Sequence, residues 1–323
     1  METNDSVVFA RELVVAKRND MMQNARYNLT VQEQRVILYA VSQIKPDDKI
    51  FQEYEFDIKQ FYKICGIEDD SYTRLKRRMK GLTDKSWWIT IKDEKGKSWQ
   101  SVVRWFSTLA LCPDSGIVKV KFHEHMMPYL LQLAKQNQDD GIYYTTYDLK
   151  YVLPMQSKFS IRLYEILKSY QINNIRWFFQ VEDLQMLLCD CDEDKKSIIP
   201  KTWDNFAIFK RDVVEPAMAE INTYTDLKIA YKTEKTGRKV TRIIFGMLEK
   251  TDKELMATQQ VVNEALNGQV SIEDILNDIQ QDPISQFEKS HDIAVRAEHE
   301  EKLRRQSEIE ASLRRLKETY GGS

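Results

Sequence analysis

Phe209-Lys210-Arg211, followed by Tyr231-Lys232-Thr233-Glu234-Lys235-Thr236-Gly237-Arg238-Lys239, puts a basic helical segment ahead of a basic hairpin. Upstream lie Ser160-Ile161-Arg162-Leu163-Tyr164, spaced as a helix, and Phe178-Phe179-Gln180-Val181-Glu182-Asp183-Leu184, a short strand running into another helix. The same order stands earlier in the chain. Leu29-Thr30-Val31-Gln32-Glu33-Gln34-Arg35-Val36-Ile37-Leu38-Tyr39 is the helix, and Tyr54-Glu55-Phe56-Asp57-Ile58-Lys59-Gln60-Phe61 is the strand and second helix. The basic run Arg74-Leu75-Lys76-Arg77-Arg78 and the hairpin signal Ile91-Lys92-Asp93-Glu94-Lys95-Gly96-Lys97 complete it. Helix, strand, helix, basic helix and basic hairpin is the order of a winged helix-turn-helix, which lays one helix in a DNA major groove.

The chain has 323 residues, 42% of them hydrophobic, enough for two cores and an extension. Its net charge of −2 is unevenly spread. Residues 251–323 hold 9 Lys and Arg against 15 Asp and Glu, whereas the first 250 hold 39 against 35. Local basic clusters, more than total charge, govern attraction to a phosphate backbone. Gln136-Asn137-Gln138-Asp139-Asp140-Gly141 is polar and marks a domain boundary. The expected fold is α+β: two tandem winged helix-turn-helix domains, residues 1–141 and 142–250. A helical, partly disordered acidic tail, 251–323, follows them. That tail lies beyond the last hairpin and is expected to lack a core of its own, so a chain ended near Lys250 should fold.

Local signals place the elements. Thr30-x-x-Glu33 is a capping-box pattern that starts a helix, and Asp57 caps the next. In the helix from Ser71 to Leu82, Tyr72, Leu75, Met79 and Leu82 share one sector, while Arg74, Arg77 and Arg78 lie opposite, flanked by Lys76 and Lys80. Trp87 to Lys92, Trp99 to Ser107 and Ile117 to Phe122 alternate as strands of one antiparallel sheet. A helix from Glu124 to Ala134 closes the first domain. In the second, a long helix follows Thr202, its inner stripe holding Phe206, Val213, Val214, Ala217 and Ile221, with Lys210 snorkelling out of it.

These placements nominate a DNA-binding surface. Arg grips guanine O6 and N7 with two parallel bonds, and Asn does the same with adenine N6 and N7. Base-reading candidates are therefore Arg74, Arg77 and Arg78, with Lys76 and Lys80 beside them, and Lys201, Thr202, Asn205 and Arg211 in the second domain, with Lys210 beside them on the DNA-binding surface. Lys92, Lys95 and Lys97, and Lys232, Lys235, Arg238 and Lys239, suit phosphates, which fix position without reading sequence. A charged, solvated face is the ordinary alternative for any one helix; a turn before it and a basic hairpin after it favour DNA.

Other chemistries find little support. Cys65, Cys112, Cys189 and Cys191 give no disulfide framework, and no Cys or His pair stands at zinc spacing. His123-Glu124-His125 falls at a strand-to-helix junction with Glu where a nicking nuclease carries a hydrophobic residue. No G-x-x-x-x-G-K-[ST] loop exists. No apolar run approaches the ~18 residues that span a membrane, and the start of the chain has no signal-peptide pattern. A cytoplasmic protein without catalytic residue, metal or cofactor is expected.

The chain also resembles a family, the iteron-type plasmid replication initiators. The likeness rests on Leu29-Thr30, Gln34-Arg35 and Phe56-Asp57-Ile58. It is strongest in Phe159-Ser160-Ile161-Arg162-Leu163-Tyr164-Glu165-Ile166-Leu167 and in Phe209-Lys210-Arg211-Asp212-Val213-Val214-Glu215-Pro216-Ala217. Glu220-Ile221-Asn222, Thr225-Asp226-Leu227 and Gly237-Arg238-Lys239-Val240 extend it, over about residues 7–250 in all. The resemblance implies a monomer that binds direct repeats in double-stranded origin DNA and recruits the host initiator and replicative helicase. It further implies a homodimer, in equilibrium with the monomer and joined through the first domain, that represses its own gene. Two other classes stay open: a winged-helix transcriptional regulator without an origin role, and a nuclease.

Overall fold

A computed structural model describes residues 2–45, 48–67, 79, 81–92, 95–112, 114–133, 143–171, 176–189 and 198–267. All of these lie in one compact unit, Met1–Ile279. The helices are α1 (Glu2–Arg11), α2 (Asn19–Asn24), α3 (Val31–Val41), α4 (Ile58–Ile64), α5 (Met127–Leu130), α6 (Lys158–Gln171), α7 (Val181–Leu188), α8 (Phe206–Phe209), α9 (Glu215–Tyr224) and α10 (Asp252–Leu266). The strands are β1 (Val14–Arg18), β2 (Tyr54–Asp57), β3 (Ser86–Lys92), β4 (Ser98–Arg104), β5 (Phe106–Leu111), β6 (Ile117–Phe122), β7 (Tyr144–Asp148), β8 (Arg176–Gln180), β9 (Leu227–Thr236) and β10 (Lys239–Glu249).

The expected caps are present. Thr30 Oγ1 accepts from Glu33 N at 3.3 Å while Thr30 N donates to Glu33 Oε2 at 2.7 Å, a reciprocal capping box that starts α3. Asp57 Oδ1 accepts from Gln60 N at 2.9 Å and starts α4. Between them, Tyr39, Phe56 and Phe61 pack ring against ring.

Two three-stranded antiparallel sheets share one plan. In the first, β6 lies between β2 and β5; in the second, β10 lies between β8 and β9. Each has the strand that precedes the second helix paired with the last strand of the hairpin. Helices α3 and α4 accompany the first sheet, and α6, α7 and α9 the second, so two winged-helix units stand in series. The second turn is a two-residue Gly237–Arg238 hairpin. Gly237 has φ 62°, the sign that the first central residue of a type II′ turn requires.

Several expectations are corrected. The run Trp99 to Ser107 is not one strand. Trp105 is buried at 1% exposure, 6.0 Å from the Trp87 ring, and the chain turns there from β4 into β5. As a result β3 and β4 form a separate two-stranded hairpin, and no single sheet holds all three predicted segments. The predicted helix from Glu124 to Ala134 is a 3-10 turn, Glu124–Met126, and the short α5, which ends where Leu131 becomes extended and Gln132 takes φ 51°.

The 141/142 boundary lies outside the described residues. Beyond it, β7 pairs with β1 from Val14↔Asp148 to Arg18↔Tyr144. The expectation that the chain past Lys250 lacks a core is corrected as well. Instead α10 packs on α9 with Val262 and Leu266 buried, because these apolar residues recur at helical spacing. The remaining tail, 268–323, lies outside the described residues.

Buried charge joins the halves. Lys17 on β1 forms an ion pair with Glu165 on α6, both almost fully buried. Tyr147 Oη donates to Glu165 Oε1 at 2.6 Å and Tyr27 Oη to Oε2 at 3.3 Å. Burial alone would raise the Glu165 carboxyl; Lys17, Arg162 and these bonds outweigh it and hold it below the ordinary carboxylate range. Glu220 on α9 accepts from Gln156 N at 2.8 Å and Ser157 N at 3.2 Å, at the start of α6. Its pKa is raised by burial.

Candidate nucleic-acid interface

The second unit presents its basic groups on an interrupted helix and a hairpin. A long helix directly after Thr202 is not what forms. Lys201–Asp204 is a 3-10 turn, and Asn205 then adopts an extended backbone (φ −87°, ψ 105°). Its Oδ1 accepts from Ala207 N at 3.0 Å and caps α8. Lys201 and Thr202 therefore sit exposed on the turn before the helix, and Asn205 at its N-cap. The cap engages the Asn205 side-chain oxygen, one of the two atoms that a two-bond grip on adenine uses.

Between α8 and α9, Lys210–Val214 is a π-helical turn, a form common at functional sites. Pro216 follows directly, as the second residue of α9. Of the expected stripe, Val213, Val214, Ala217 and Ile221 are buried and Phe206 is half-buried, with Phe209 buried beside them. Lys210 escapes it, its Nζ 2.9 Å from Glu215 Oε1, and that bond raises its pKa. Arg211 is 71% exposed and forms a fork with Asp212, Nε to Oδ1 at 2.6 Å and Nη2 to Oδ2 at 3.0 Å. The pairing lowers the Asp212 pKa, so the carboxylate is charged beside the guanidinium.

On the wing, Lys232, Lys235, Arg238 and Lys239 are exposed. Lys239 Nζ reaches Glu182 Oε1 at 2.8 Å and ties β10 to the start of α7. One group missed by sequence reading belongs here. Arg242 is exposed, its guanidinium 5.0 Å from the half-exposed Phe178 ring and 3.5 Å from Glu234. Period-2 alternation held the signal: Ile243, Phe245 and Met247 point inward, so Arg242 points out.

The first unit is arranged differently. Arg74, Lys76, Arg77, Arg78 and Lys80 lie outside the described residues, as does the side chain of Lys92. Lys95 and Lys97 are exposed beside Gly96, which has φ 75°, and Lys97 Nζ sits 4.5 Å over the Trp99 ring. Yet β3 and β4 are not the counterpart of the β9–β10 wing. By sheet order that counterpart is β5–β6, whose turn carries Asp114, Ser115 and Gly116. The lysine-rich β3–β4 hairpin is a separate sheet beside the first unit's wing and not its equivalent of β9–β10.

The His123 and His125 rings lie 4.8 Å apart, tilted by 49°, and His123 Nδ1 accepts from His125 N at 3.3 Å. Among the described residues no three His, Cys, Asp or Glu side chains gather closely enough to hold a metal ion. Among them also, no helix is long and apolar enough to cross a membrane.

The fold and its exposed second surface define a tandem winged-helix protein. The pattern described as "Initiator Replication protein, WH1" matches residues 14–168, and "Initiator Rep protein, WH2" matches 180–247. The chain belongs to the plasmid replication initiator family. It is 30% identical over 159 residues to the PI protein of Escherichia coli, covering 47% of this chain and 50% of that protein. It thus spans about half the length of that relative. A "Replication initiation protein" of Escherichia coli is 23% identical over 272 residues, 81% of this chain and 76% of that one. Among solved structures, the Pi initiator protein in complex with iteron DNA matches with a TM-score of 0.58 and 22% identity, over 75% of this chain and 99% of that chain.

Proposed function

We propose that this chain binds direct repeats (iterons) in double-stranded origin DNA and initiates plasmid replication from them. The observation that carries the reading is the exposed basic surface of the second unit, set on a fold shared with an initiator solved on iteron DNA. Arg211, Asn205, Lys201, Thr202 and Lys210 address bases and nearby phosphates. Lys232, Lys235, Arg238 and Lys239 hold the backbone, which positions the helix without reading sequence. Residues 142–250 are the main reading domain. Residues 1–141 supply a second DNA contact through Arg74, Lys76, Arg77, Arg78, Lys80, Lys92, Lys95 and Lys97, and the surface through which a homodimer forms. That dimer represses the chain's own gene, and the origin-bound monomer recruits the host initiator and replicative helicase in the cytoplasm. No step in this scheme uses a catalytic residue.

The test has two arms. Titration of the full chain against duplexes carrying the repeats beside its gene, and against shuffled duplexes, should give a specificity ratio of at least about a thousandfold at physiological salt. A plasmid that cannot replicate, given the repeat-bearing fragment, should be maintained when the chain is supplied in trans. Tight repeat binding without maintenance would favour the regulator reading. No preference for repeats would sink both.

A further inference from the structure

We infer that α10, the helix after the second wing, is a strap that fixes the placement of the two winged-helix units relative to each other. Its start is fastened to the second unit. Glu254 closes a capping box with Thr251 and pairs with Lys228 of β9 at 2.7 Å. Lys250 Nζ donates to Asn222 O at 2.5 Å and to Thr258 Oγ1 at 2.7 Å. Its end is fastened to the first unit. Arg11 donates through Nε to Ile64 O at 3.0 Å and through Nη2 to Lys63 O at 2.8 Å and Leu266 O at 3.1 Å. One guanidinium thus gathers the carbonyl ends of α4 and α10, where helix dipoles are negative.

Gly66 makes that junction possible. It has φ +66°, and a Cβ there would stand 2.6 Å from Leu266 O and 2.8 Å from Leu266 Cα, both backbone. Fifteen helical residues span about 22 Å, so the strap bridges two distant anchor points. The packing of α2 and α3 on α6, with the buried Lys17–Glu165 pair, is one attachment between the units; the strap is a second at a separate place, and two separated attachments restrict a rotation that one allows.

For DNA this inference rests on the proposed function, so the decisive readout uses none. Spin labels carried as non-natural amino acids at Thr108 and Asp183, both exposed, report the distance between units in the full chain. Wild type and Met256→Ser, which alters an exposed strap position, should give one narrow distance distribution. Arg11→Ala and Gly66→Val should broaden it. Arg11→Ala adds no bulk and decides the matter if Gly66→Val does not fold. A narrow, unmoved distribution in Arg11→Ala overturns the strap. In a second arm, about five base pairs inserted inside one repeat should weaken wild-type binding about tenfold, and Arg11→Ala binding less. Broadened distances with no such difference would strike the two-contact DNA reading and leave the strap standing.

Discussion

The two winged-helix units share a strand order but differ in where their described charges gather. Around the first, at its junction with α6, charges are buried: Lys17 with Glu165, Arg35 donating to Met155 O at 2.8 Å, Arg162 to Ala25 O at 2.5 Å. Its topological wing carries Asp114. The second unit buries its apolar stripe and exposes Arg211, Lys235, Arg238 and Lys239. The same residue types therefore do two jobs. Buried, they fix how elements meet; exposed, they remain ready for a phosphate or a base edge.

The largest effect should come from breaking the buried side. Lys17→Met removes the ion-pair partner of the buried Glu165 and should cost about 3–5 kcal/mol of unfolding free energy, read by denaturant titration. Lys239→Ala breaks an exposed pair with Glu182 and should leave the midpoint in place. If the two variants melt alike, the contrast between units fails.

Lys250 sharpens the buried side through pH. Burial lowers its pKa to about 8 from 10.5. The unfolded chain then binds more protons between those values, so stability rises as pH climbs from about 8 to about 10.5. Measured against Lys250→Met, the gain should reach up to about 3 kcal/mol. A flat difference across that window would show that the ammonium is solvated.

On the exposed side, Arg211→Ala should relax preference at one base pair about tenfold to a hundredfold, seen by competition with single-base variants of the repeat. Lys235→Ala should weaken repeat and random DNA alike and reduce the slope of log affinity against log salt by about 1. Smallest of all, Asp114→Ala on the first wing should leave that slope almost unchanged. A slope change as large as that of Lys235→Ala would place the first wing on DNA as well.

Much of this was legible in the sequence because its signals are local. Capping at Thr30 and Asp57 needs only neighbours three residues apart. The stripe through Val213, Ala217 and Ile221 needs neighbours four apart, and the turn at 237 its own glycine. The misreadings are long-range. Nothing local says that Trp105 will bury against Trp87 and split a strand, or that β6 chooses β2 and β5 while β3 and β4 pair alone. The junction of Arg11 and Gly66 with Leu266 joins residues 200 or more positions apart, beyond any periodicity. At the candidate site, residue types were visible, but not the break at Asn205 that moves Lys201 and Thr202 off the helix.

The most direct test is a hydroxyl-radical footprint of the full chain on one repeat. Two winged-helix units on one duplex should protect two patches on the same face, centred about 34–36 Å apart. Arg211→Ala should weaken the patch under the second unit first. A single patch confined to one helical turn would contradict the account.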